Sequence, residues 1–105
     1  MPDPTNFLDF IAKTIREVEI GVAAKDYGRA GKANFALYGV GKRFDKEQTR
    51  GNPIAVHYSG EISNIIHYLE EAYMPRYSTD NPQKQIASAR KELQLIRRHY
   101  RENYG

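Results

Sequence analysis

The chain has 105 residues, 40 % of them hydrophobic, which suffices for one modest core in a single domain without metal or disulfide staples. It contains no cysteine, so zinc-ribbon, thiol-redox and cysteine-nucleophile chemistry are excluded. A net charge of +3 is mild and does not by itself argue for nucleic acid. No apolar run approaches the ~20 residues of a membrane span, and Met-Pro-Asp-Pro lacks the basic-then-apolar pattern of a secretory signal; a cytoplasmic protein is expected.

The first predicted helix runs from Thr5 to Ala24, where Leu8, Ile11, Ile15, Val18 and Val22 step by three, four, three and four residues and therefore share one helical face. Phe7 and Phe10 add bulk at its first turn, and Asp3 or Thr5 is the candidate cap. Lys25-Asp26-Tyr27 breaks the rhythm, with Asp26 placed to cap the next helix, so the first two helices are expected to lie antiparallel. From Tyr27 to Gln48 the stripe is Ala30, Ala33, Leu37, Val40 and Phe44. Gly28, Gly31, Gly39 and Gly41 interrupt this segment, each at a cost of about 0.5–1 kcal/mol relative to alanine. Close approach of a neighbouring helix, a groove for a partner helix or a kink are the three ways to offset that cost. Cations at Lys42, Arg43, Lys46 and Arg50 followed by Gly51 mark the C-terminal end.

The third segment, Asn52 to Pro75, carries Tyr58, Ile62, Ile65, Leu69 and Ala72 on one stripe, with Ile66 and Tyr73 widening it. Asn52 and Pro53 form a cap-and-first-turn pair, repeated by Asn81 and Pro82 after a polar loop from Met74. The last helix carries Ile86, Ala89, Leu93, Ile96 and Tyr100. Four stripes of one rhythm and no period-two alternation predict an all-α protein, an antiparallel up-down-up-down four-helix bundle.

Catalytic and metal-binding patterns are missing. His57 and Glu61, like His67 and Glu71, are four apart, whereas di-iron bundles place Glu three before His; Ile54, Asn64 and Ile96 stand there instead. No phosphate-binding or nucleophile-elbow motif occurs, and Gly39-Val40-Gly41-Lys42-Arg43 falls inside a helical pattern. No enzyme and no cofactor is expected.

Two surfaces remain for a partner. The last helix has Lys84, Lys91 and Arg98 on one side and Arg90, Arg97 and Arg101 on an adjoining one, against only Glu92 and Glu102, a face open to solvent, an acidic partner or phosphates. Tyr58, Tyr68, Tyr73 and Tyr77 crowd the third helix and its exit. There Ile65, Ile66, Tyr68, Leu69 and Tyr73 span more circumference than one core face hides, and with Phe35 and Tyr38 of the second helix they are the candidate partner-binding residues. A second copy of the chain could also cover such an excess.

The turn I-G-V-A-A-K-D-Y-G-R-A at Ile20–Ala30, the segment I-A-V-H-Y-S-G-E-I-S-N-I-I-H-Y-L-E-E-A at Ile54–Ala72 and K-E-L-Q-L-I-R-R-H-Y at Lys91–Tyr100 resemble, in order and layout, the flagellar export chaperones of the FliS type. That resemblance implies a cytosolic chaperone that binds the disordered C-terminal part of flagellin and delivers it for export, by capturing amphipathic segments on exposed apolar strips. The alternative reading is a small basic nucleic-acid-associated or regulatory bundle.

Overall fold

The four apolar stripes become four helices. A computed structural model describes residues 4–74 and 81–104, which form α1 (Pro4–Ala23), α2 (Tyr27–Thr49), α3 (Pro53–Tyr73) and α4 (Pro82–Asn103), with no strand among the described residues. Helices of 20 to 23 residues span about 30–35 Å at about 1.5 Å per residue, which makes up most of the 39 Å long dimension.

Local chemistry sets the ends. The Asp26 carboxylate accepts the Arg29 backbone N–H at 3.1 Å, the Asn52 side-chain oxygen accepts those of Ile54 and Ala55 at 3.0 and 3.4 Å, and the Asn81 oxygen accepts that of Lys84 at 3.1 Å. Each such cap is worth about 1 kcal/mol. The helical span of α1 includes Thr5; Asp3 lies outside the described residues, as do Tyr77 and most of the polar loop. Gly51 closes α2 with φ +78°, its N–H donating to the Gln48 carbonyl at 3.0 Å.

The α1–α2 turn is tighter. Asp26 N–H donates back to the Gly21 carbonyl at 2.7 Å, and Lys25 takes φ +57°. A Cβ on residue 21 would stand 2.8 Å from the Asp26 carbonyl oxygen and 3.0 Å from the Ala30 nitrogen, so only glycine fits without moving backbone.

Cross-helix contacts fix an antiparallel register at every seam. Phe7 of α1 meets Phe44 of α2 at 5.1 Å between ring centroids, and Arg29 of α2 meets Glu17 of α1. Between α2 and α3, Asn34 donates to the Ile66 carbonyl and Ser59 donates to Asp45. Tyr58 of α3 contacts His99 of α4, and Arg90 and Arg97 of α4 pair with Glu19 and Asp9 of α1. The core collects the predicted stripes, with Ile11, Ile15, Val18, Leu37, Ile62, Ile65, Leu69, Ile86 and Ile96 essentially without solvent contact.

One expectation about α3 is corrected. Ile65 and Leu69 are fully buried and Ile66 is only 8 % exposed, so none of the three offers surface to a partner. α3 packs on both α2 and α4 and also touches α1 across the diagonal, which hides a wider arc than one core face. Tyr68 and Tyr73 are half-buried against the core, and the Tyr73 hydroxyl accepts from Asn34 at 3.2 Å. Among the α2 glycines, a Cβ at Gly31 would touch the Tyr73 ring at 3.4 Å and one at Gly41 the Ile66 side chain at 3.3 Å. Close helix approach therefore bears on Gly41, whereas the contact at Gly31 is an ordinary one that alanine would also make. At Gly39 a Cβ would meet nothing within 4 Å among the described residues.

Candidate partner-binding face on the first helical hairpin

With Ile65, Ile66 and Leu69 taken up by the core, most of the exposed apolar side chains lie outside α3. Five of the eight large hydrophobics exposed among the described residues, Phe10, Ile20, Tyr27, Phe35 and Tyr38, belong to α1 and α2, and only Val56, Leu95 and Tyr104 stand beyond them. The first hairpin is thus the apolar side of the molecule.

The cause is register. The buried stripe of α2 uses Ala30, Leu37 and Phe44, so Phe35, two residues before Leu37, points outward and is 75 % exposed. Tyr38, one turn on, lies alongside it with ring centroids 6.3 Å apart, and the Lys42 ammonium sits 5.2 Å from the Tyr38 ring centroid. Gly39 follows Phe35 by four residues and leaves open space beside the pair. The result is an aromatic ridge with a low shoulder.

Between this ridge and α1 runs a groove of about 480 Å³. Ala33 and Ala36 give its α2 side small residues, Phe10 and Thr14 line its α1 side, and Lys13, Glu17, Arg29 and Lys32 supply its charges. Thr14 satisfies its hydroxyl locally by donating to the Phe10 carbonyl at 2.9 Å. Glu17 accepts from the Arg29 guanidinium at 2.9 Å, and that hydrogen bond holds its carboxyl below the usual carboxylate range. A smaller groove of about 250 Å³ on the other side of the ridge, between α2 and α3, is bordered by Tyr38, Lys42 and His67.

The predicted partner residues therefore divide. Phe35 and Tyr38 share the ridge, whereas Ile65, Ile66 and Leu69 are core and Tyr68 and Tyr73 support it from the side. Sequence reading missed Phe10, Ala36 and Lys32; the available signal was that Phe10 and Phe35 are large aromatics out of step with their own helix's core stripe.

The chain matches no protein-family model, no curated protein and no solved structure. What the molecule does has to be read from its own surfaces.

Three of the six cations on the basic face of α4 are engaged in ion pairs, while Lys84, Lys91 and Arg101 form none among the described residues. Arg90 holds Glu19 with two hydrogen bonds of 2.6 and 2.7 Å, Arg97 approaches Asp9 at 3.9 Å and Arg98 pairs with Glu102 at 3.2 Å. Of the four predicted arginines only Arg101 has no ionic partner among the described residues. A third groove, about 460 Å³ between α3 and α4, is lined by His57, Tyr58, Glu61, Leu95 and His99 among others. It mixes both signs of charge, with Glu61, Glu92 and Glu102 against Arg98. No helix among the described residues is long and apolar enough to cross a membrane.

Proposed function

We propose that this bundle is a protein-binding module of the export-chaperone kind, which holds an amphipathic segment of a client against the outside of its first helical hairpin. The observation that carries the reading is Phe35, three-quarters exposed and braced by Tyr38 on a helix whose core stripe is otherwise complete. An exposed aromatic ridge beside an apolar groove is what helix-in-groove capture requires. Covering one Phe is worth about 1.5–3 kcal/mol, whereas ordering a disordered client costs about 2–5 kcal/mol or more. Several anchors are therefore needed, and the exposed Phe10, Ile20, Phe35 and Tyr38 of the first hairpin are the available ones.

The resemblance of the Ile20–Ala30 turn, the Ile54–Ala72 helix and the Lys91–Tyr100 segment to FliS-type chaperones supports the further step that the client is flagellin-like and that the protein works in the cytosol. The test is a calorimetric titration of the full chain with the C-terminal segment of flagellin from the source organism, at low and at high salt. Binding that weakens less than about tenfold with salt supports an apolar client site, since a phosphate-contacting protein loses on the order of a thousandfold. No binding, or preferential and steeply salt-dependent binding of an oligonucleotide, overturns the reading.

A further inference from the structure

Given that reading, we infer that the segment taken by the hairpin is an acidic amphipathic helix lying along the α1–α2 groove. Charge and shape together point there. Among the residues lining the groove, Glu17 is the single acid, against Lys13, Arg29 and Lys32. That acid is already bound to Arg29. Lys13 and Lys32 form no ion pair among the described residues, and Lys42 rests on an aromatic ring, not on a carboxylate. Arg43 stands seven residues after Ala36 and so on the same side of α2, extending the cationic edge. Asp9, the next acid toward the start of α1, is turned to Arg97 on the opposite seam.

The shape selects a helix over a bare polyanion. Ala33 and Ala36 let another helix come close and Phe10 lines the groove with apolar surface, while Phe35, next to Ala36 in the chain, adds an exposed ring on the adjoining ridge. Apolar side chains of the occupant cover Phe10 and Phe35 while its carboxylates meet Lys13 and Lys32. A lysine-rich segment of identical apolar stripe is repelled by those same cations, so the rim discriminates as well as attracts.

The experiment uses the full chain and three fluorescent probes in anisotropy titrations at low salt: two designed amphipathic helical peptides with one shared Leu/Ile stripe, glutamates or lysines on their polar faces, and a single-stranded oligonucleotide. The unaltered protein is expected to bind the glutamate peptide at least ~10-fold more tightly than the lysine peptide, and the Lys13→Glu/Lys32→Glu variant, its helicity and melting checked alongside, to reverse that order. Equal binding of both peptides, preference for the lysine peptide, no binding of either, or displacement of the glutamate peptide by the oligonucleotide overturns the inference. The protein-binding reading stands or falls separately, on the flagellin titration.

Discussion

The Tyr58 hydroxyl and the His99 Nδ1 are 2.8 Å apart and tie the start of α3 to the end of α4. Tyr58 is only 2 % exposed and stands within an aromatic group that includes Phe7, Tyr100 and Tyr104. Burial, followed by the proximity of Tyr104, Glu61 and Tyr100, pushes its pKa from 10.0 up to about 12. A raised phenol pKa means that the folded state keeps a proton the unfolded chain gives up. This contribution to stability is whole below pH 10 and is lost as pH rises from 10 to 12. Urea denaturation should therefore show an alkaline loss of about 1–3 kcal/mol that is missing in Tyr58→Phe. Equal alkaline slopes for the two proteins would contradict it.

Asn34 is buried between α2 and α3, donating to the Ile66 carbonyl and the Tyr73 hydroxyl at 3.2 Å each, while its own Oδ1 has no hydrogen-bond partner among the described residues. Asn34→Asp keeps the shape, removes both donated bonds and buries a charge facing a carbonyl oxygen. It should cost about 3 kcal/mol or more at neutral pH, partly recovered on protonation in acid. Denaturation midpoints at neutral and acidic pH check this.

Gly21 and Gly39 should respond oppositely to alanine. At residue 21 the added methyl strikes backbone atoms of the turn, and a loss of about 1–3 kcal/mol is expected; at residue 39 it enters open space and should stabilise by about 0.5–1 kcal/mol. Thermal melts of the two variants measure both signs. A stabilised Gly39→Ala shows that this glycine is not kept for the fold.

What the sequence made legible was local and periodic. Asp26, Asn52 and Asn81 cap the helices they precede, and the core holds Ile11, Leu37, Ile62 and Ile96 from the expected stripes, because capping and a 3.6-residue period depend only on near neighbours. The width of the α3 stripe was a poorer guide. It records how many apolar residues exist, whereas their exposure depends on how many helices surround α3. The groove was equally out of reach, since Phe10 and Ala36 are 26 positions apart and meet only through packing. Gly21 was silent because its constraint comes from the backbone of the following turn.

Leu69 is fully enclosed by the core it helps to form. Leu69→Ala should cost about 2–5 kcal/mol in chemical denaturation. A loss below about 0.5 kcal/mol would place that side chain at the surface instead.

The most direct measurement compares two glutamate substitutions on different faces of one bundle, Phe35→Glu on the α2 ridge and Leu95→Glu on α4, where Leu95 is 53 % exposed beside the α3–α4 groove. Both positions are solvent-facing, so both variants should fold. Titrated with the flagellin C-terminal segment, Phe35→Glu should weaken binding by at least ~10-fold while Leu95→Glu leaves it within about twofold. Equal effects, the reverse order, or no binding by the unaltered protein would contradict a client site on the first hairpin.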